Sequence, residues 1–322
     1  APLLVILDDA QWADPTTLDL VRLLLDAIES RPIMLVVSSR PEGRPSLPRR
    51  AQLSELALGR LDEDDVAALV ARLLPGAGRA EIRDAVVRRA DGAPLFVEEL
   101  AKDMAERGDH AGDPTATSDV PASLHDTLMA RLDRLDEAKE VAQVAACIGR
   151  EAELPLLAAA IELPETQLAR RLERLCEAGL MDCRGSPPAA YSFRHALVRD
   201  AAYESLLRSR RRGLHERILA ALDAGRAGRI VDPAETARHA AAAELWSRAL
   251  HDYGAAGKAA IDRAAHAEAI DLLGRALDAG ARQAGDTTAE VEMIDLRRAR
   301  CWAFLATGDT AKIDVTGADD TE

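Results

Sequence analysis

Residues 2–7 form an unbroken apolar run that ends at Asp8 and Asp9. This is the pattern of a short strand buried on both faces of a parallel sheet, with its acids at the carboxyl end. Asp14 before Pro15 reads as an N-cap followed by proline at the first helical position, and Leu18, Val21, Leu25 and Ile28 recur on one helical face. Residues 33–37 repeat the buried-strand pattern and stop at Ser38, Ser39 and Arg40. Strand, helix, strand is a βαβ crossover. A third short strand is expected over 53–58, before a helix that Asp62 caps and that runs to residue 74.

Residues 81–108 read as two helices parted at Asp91-Gly92-Ala93-Pro94, where Gly ends one helix and Pro opens the next. Residues 108–119 are rich in Gly, Asp, Thr and Pro and form the best linker in the chain. Helices follow over 121–135, 137–148, 154–161 and 164–178, the last ended by Gly179. Strands over 180–183 and 190–193 then flank a Gly-Ser-Pro-Pro turn. Helix, helix, hairpin is a winged-helix order. From His195 onward the pattern is helical, and residues 264–276 (AAHAEAIDLLGRA) carry the small-residue and leucine spacing of a tetratricopeptide helix pair. Residues 296–309 begin another, and from Ile313 the pattern dissolves into an acidic, Gly-containing tail.

Composition sharpens this helical reading. A chain of 322 residues exceeds one usual domain, and 48% hydrophobic residues with only 3% aromatics suits close-packed helices of Ala, Leu and Val. A net charge of -14 opposes broad binding to nucleic-acid backbones, which needs a cationic surface. Cys147, Cys176, Cys183 and Cys301 form no CxxC pair, the usage of a reduced, cytoplasmic protein. No apolar run reaches the ~20 residues needed to cross a bilayer, and no signal-type segment opens the chain. Because strand residues follow Ala1 at once, the sequence reads as an N-terminally truncated fragment.

Adjacent carboxylates at the end of a buried strand lose hydration unless a cation or a partner compensates them. Magnesium would do so at Asp8 and Asp9, outside the carboxyl edge of a parallel sheet; a purely structural pair is the alternative. No G-x-x-x-x-G-K-[ST] string occurs, and Gly254 to Lys258 (GAAGK) has the wrong spacing within a helical context. Without the loop amides and lysine that cradle phosphates, these residues alone should bind ATP weakly and hydrolyse it poorly. His215-Glu216 lacks the second histidine of a zinc helix, because position 219 is Leu. The basic run at residues 208–212 (RSRRR) reads as a solvated helix face, with a phosphate or acidic partner as the alternative.

Four strings in order, LLVILDDAQWADPTTLDLVRLLL, PIMLVVSSRPE, DGAPLFVEEL and YSFRHALVRDAAYESLL, span residues 1 to 215. They resemble the STAND signal-transducing ATPases, including the MalT-like and LuxR-type large regulators and the ATPase modules attached to class III nucleotide cyclases. The resemblance implies a mainly α fold with an α/β part. Residues 1–60 would close a P-loop ATPase core, 61–108 form a helical subdomain, 109–119 a linker and 120–205 a winged helix. Residues 206–312 would carry tetratricopeptide-like repeats and 313–322 the tail. It further implies that Asp8 holds Mg²⁺ through water, that Asp9 is the catalytic acid, and that Arg40 senses the terminal phosphate. Pro94 would pack beside adenine and His195 would contact the ADP β-phosphate, although Phe-Arg-His replaces the group's Met-His-Asp there.

The implied function is a switch driven by ATP and ADP with Mg²⁺, taking a protein or small-molecule inducer on its repeats. Its output, a DNA-binding or cyclase domain, would lie outside these residues; no membrane partner is expected. The alternative is a helical-repeat scaffold in which the ATPase remnant is only structural. A third reading puts Arg170, Arg171 and Arg174 on a DNA-recognition helix, but Glu173 and Glu177 share that helix.

Overall fold

The computed structural model describes residues 2–28, 31–48, 53–75, 80–90, 92–108, 123–185, 190–283 and 287–308. Asp91, the linker from residue 109, the Ser-Pro-Pro part of the hairpin turn and the acidic tail lie outside the described residues. The chain divides into two compact units, Ala57–Ile230 and the pair of segments Ala1–Leu56 and Val231–Glu322.

In the first of those segments, β1 (Leu3–Leu7) and β2 (Ile33–Val37) pair in parallel, Leu3 opposite Ile33 and Leu7 opposite Val37. They are joined by α1 (Pro15–Ile28), which Asp14 starts by accepting the Thr17 amide at 2.9 Å. One side of α1 buries Val21 and Leu25. Because side chains alternate across a strand, a single crossover helix covers one face of the pair only. Leu4, Ile6, Met34 and Val36 on the other face are exposed, so the expectation of strands buried on both faces is corrected here. Residues 53–60 form no strand, and Leu56 and Leu58 are exposed, which corrects the expected third strand.

The unit Ala57–Ile230 opens with α2 (Glu63–Leu73), whose cap Asp62 accepts the Asp65 amide at 2.8 Å. Helices α3 (Ala80–Arg89) and α4 (Pro94–Gly108) close over it with Val66, Val70, Val86, Val97 and Leu100 in the core. The bend before α4 needs glycine. Gly92 has φ +69, and a Cβ there would stand 2.3 Å from the Leu61 carbonyl oxygen. Gly92 in turn accepts the Leu61 amide at 2.8 Å, which ties the approach to α2 onto the bend.

Next come α5 (Leu124–Arg134), α6 (Glu137–Ile148), β3 (Glu151–Glu153), α7 (Leu154–Ile161) and α8 (Glu165–Glu177). They are followed by β4 (Met181–Arg184), β5 (Ala190–Phe193), α9 (Ala196–Glu204) and α10 (Arg208–Asp223). The expected hairpin forms, with Cys183 opposite Tyr191, and β3 adds a third antiparallel strand on β5. Helix α6 is the centre of this part: its residues from Val141 to Ile148 are all buried.

The C-terminal segment is an array of α11 (Pro233–Ala242), α12 (Trp246–Asp262), α13 (His266–Ala281) and α14 (Thr287–Thr307). Gly257 meets Leu273 while Leu250 meets Gly280, so α12 and α13 run antiparallel; Gly280 against Met293 and Gly274 against Arg300 reverse direction again into α14. Small residues let these axes approach closely, and Ala249, Ala260, Ala269 and Ala276 are fully or nearly fully buried between them. This is the tetratricopeptide-like stacking that residues 264–276 predict. Among the described residues no helix is long and apolar enough to cross a membrane.

Candidate functional site at the carboxyl end of the parallel strands

The ladder between β1 and β2 runs one step past the strands, with the Ser38 amide donating to the Leu7 carbonyl at 2.9 Å and the Ala10 amide to the Ser38 carbonyl at 2.8 Å. Between those two bonds the chain must turn sharply. Asp9 does so in the left-handed region at φ 55 and ψ 46, and the short 3-10 turn Ala10–Trp12 follows. A non-glycine residue held there stores of order 1 kcal/mol of strain, and such residues concentrate at functional sites. Asp is among the few side chains that tolerate the conformation.

The turn sends the two carboxylates to different partners. The Ser38 hydroxyl donates to Asp8 Oδ1 and accepts the Asp9 amide at 2.9 Å. Gln11 Nε2 donates to Asp9 Oδ1 at 3.0 Å, while Gln11 Oε1 accepts the Arg40 amide at 3.1 Å. Asp8 and Arg40 are exposed and Asp9 is half-buried, so all three stand at the open end of the strands. The structure therefore brings Asp8, Asp9 and the backbone of Arg40 together. Among the described residues no group of three His, Cys, Asp or Glu side chains is placed to hold a cation. Asp8 is the exposed carboxylate there, so a cation held at this end would keep most of its water, as Mg²⁺ commonly does.

Pro94 and His195 belong to the other unit. Pro94 is the exposed first residue of α4, directly after the Gly92 bend. His195 is half-buried and precedes α9 without capping it through its side chain. Its electrostatic neighbours include acids. Burial pushes the Glu98 carboxyl up, but the Lys102 ammonium, bonded to it at 2.5 Å, and the nearby His195 and Arg194 bring it below the usual carboxylate range. The Arg194 guanidinium, 2.8 Å from Asp182, lowers that carboxyl despite some burial, and His195 adds to the effect.

Sequence reasoning missed a second polar cluster. Glu99 and Arg131 are an ion pair with 1% and 3% of their side chains exposed, and Arg131 Nη2 also donates to the Ala178 carbonyl at 2.7 Å. One turn further, Arg134 pairs with the fully buried Asp103. The second glutamate of DGAPLFVEEL, Glu99, thus ties α4 to α5 and, through Arg131, to the end of α8, while Glu98 pairs with Lys102 in its own helix. Only the doubled acid in an otherwise amphipathic helix hints at this. The arginines proposed to read DNA are partly engaged inside the fold: Arg171 reaches Glu137 at 3.1 Å and Glu140 at 3.3 Å. The basic run is likewise paired, with Arg210 on Glu140 at 2.7 Å and Arg212 on Glu216 at 3.3 Å.

Comparison with known proteins agrees with a STAND-like, mostly helical fold. No protein-family model matches the chain. A solved STAND protein with a tetratricopeptide repeat sensor from Pyrococcus horikoshii superposes with a TM-score of 0.50 at 12% identity, covering 96% of this chain and 49% of that one. An uncharacterised protein of Rhizobium meliloti (strain 1021) is 32% identical over 302 residues, 90% of this chain. The chain spans 29% of that relative's length.

Proposed function

We propose that these residues are the regulatory part of a nucleotide-controlled, signal-transducing ATPase. The observation that carries the reading is the cluster at the carboxyl end of the parallel strands, where Asp8, Asp9 and the Arg40 backbone are linked through Ser38 and Gln11. Asp8 would hold Mg²⁺ through water, and Asp9 would orient the attacking water. The metal, when bound, supplies charge neutralisation at the terminal phosphate oxygens. Arg40 extends a planar fork suited to a terminal phosphate and so distinguishes ATP from ADP. Pro94 would be the residue to pack beside adenine and His195 the one to contact the ADP β-phosphate. The winged-helix order of α5 to β5 and the repeat array transmit the nucleotide state, the array taking the inducer. A phosphate cradle and an output, a LuxR-type DNA-binding domain or a nucleotide cyclase, would lie outside these residues.

A scaffold reading draws on one observation, the lack of a G-x-x-x-x-G-K-[ST] string in these residues. The test uses the full-length protein encoded by the gene. Asp9→Asn should keep MgATP affinity within a few fold and lose about a hundredfold in turnover, as expected when a residue that orients the nucleophile is removed. Equal turnover of the two forms removes Asp9 from the mechanism; a full-length protein that binds no MgATP leaves the scaffold.

A further inference from the structure

The two ends of Gln11 are used by different parts of the site. Its Nε2 holds Asp9 Oδ1 at 3.0 Å and its Oε1 holds the Arg40 amide at 3.1 Å. An amide side chain has a donor end and an acceptor end separated by a rigid plane. A carboxylate accepts only, and a backbone N–H donates only, so both bonds together fix one orientation of the amide. Gln11 itself is half-buried and sits in the 3-10 turn Ala10–Trp12, which follows the left-handed Asp9. It therefore has little room to exchange partners without letting go of one of them. Ser38 fastens the other side of the same turn by bonding both Asp8 and the Asp9 amide.

We infer that Gln11 is a positioning residue that couples the catalytic acid Asp9 to the sensor segment at Arg40, so that displacement of Arg40 by the terminal phosphate is felt as reorientation of the Asp9 carboxylate. This rests on the nucleotide reading above and adds the regulation of that site. The coupling is physical because the bond is made by the Arg40 backbone amide, and a backbone shift that carries it beyond hydrogen-bond range must either rotate the Gln11 amide or break one of its two bonds.

Two measurements test it. In the chain itself, Gln11→Ala should speed hydrogen exchange of the Arg40 amide by about tenfold, the loss of one hydrogen bond, and leave the amides of Met34 and Val36, which face β1 in the ladder, unchanged. An unchanged Arg40 amide overturns the inference whatever the nucleotide does. In the full-length protein, Gln11→Ala and the shorter Gln11→Asn should each lower kcat by about tenfold to a hundredfold with KM within a few fold, the effect of misplacing a reacting group. Both should erase the preference for ATP over ADP to the extent that Arg40→Ala does, and Gln11→Ala with Arg40→Ala should be no worse than the worse single change. Additive losses overturn the coupling while Asp9→Asn and Arg40→Ala still support the ATPase reading. If neither Asp9→Asn nor Arg40→Ala alters turnover, the ATPase reading fails and the coupling falls with it.

Discussion

Replacing Arg131 by Met tests the energetics of the buried Glu99–Arg131 pair. Both groups are almost completely removed from water, and Lys102, 3.6 Å from Glu99, is the next cation. At contact distance and an effective dielectric of ~20 the attraction is about 5 kcal/mol, comparable with the several kcal/mol lost in desolvating the ions. The pair is therefore close to neutral against an apolar pair of similar volume. Breaking it from one side is not neutral. Arg131→Met leaves the Glu99 carboxylate with Lys102 as its nearest cation and takes the Nη2 donor from the Ala178 carbonyl. The expected cost is about 3–5 kcal/mol. For a unit of this size each kcal/mol is worth ~2–4 °C, so the local transition should fall by about 6–20 °C. The double change Glu99→Leu with Arg131→Met should recover most of that loss, with a coupling of at least about 2 kcal/mol. Because the chain has two units, a single melting curve would mix transitions; hydrogen exchange of peptides covering α4, α5 and the end of α8 isolates the right one. A single-site cost below ~1 kcal/mol, or costs that simply add, would refute the argument.

Two further outcomes follow from packing and charge. Gly257→Ala should destabilise the array by about 1–3 kcal/mol, because the new Cβ would lie 2.6 Å from Leu273 Cγ and 3.3 Å from its backbone nitrogen. Gly213→Ala, inside α10 with nothing within 4 Å, should instead stabilise by about 0.5–1 kcal/mol; urea denaturation of both variants reads the opposite signs. The Asp182 carboxyl is held low first by its bond to Arg194, so its contribution is present above its unfolded pKa and is lost as pH falls through the lower folded value. Asp182→Asn should flatten the pH dependence of stability on the acid side, below the ordinary Asp value of about 4, and the effect should shrink in salt because both side chains are substantially exposed.

Where a local signal decided the structure, the sequence carried it. Asp14 before Pro15, Asp62 before α2 and Gly179 after α8 mark helix ends through bonds made within a few residues, and the helices begin and end there. Pairing between distant segments is different. Three leucines at 53, 56 and 58 give no strict alternation, and whether they join a ladder depends on a partner that the segment itself does not specify. Glu151–Glu153 shows the reverse case: a single apolar residue, Ala152, is set opposite Tyr191, so β3 exists because β5 offers an edge and not because its own sequence asks for a strand. In the site, the acids and Arg40 were legible because strand ends locate them. Gln11 and Ser38 were not, since their importance lies in bonds across about thirty residues of chain, 30 between Ser38 and Asp8 and 29 between Gln11 and Arg40.

The same contrast bears on how the motif DGAPLFVEEL is to be understood. Gly92 is needed where it stands because a Cβ would strike the Leu61 carbonyl and because φ is positive, and Glu99 is needed because Arg131 is buried against it. Both reasons are steric or electrostatic facts of the fold and hold with or without a nucleotide. Among the described residues of the motif Pro94 is the exposed one, and at the first turn of α4 it opens the helix. On the proposed nucleotide reading, contact with the base would fall to Pro94, while the motif's glycine and second glutamate fix the direction in which α4 leaves the bend. Substitutions at Gly92 or Glu99 that weaken nucleotide binding would act by moving that helix, and only changes at Pro94 that spare stability would speak for contact with the base.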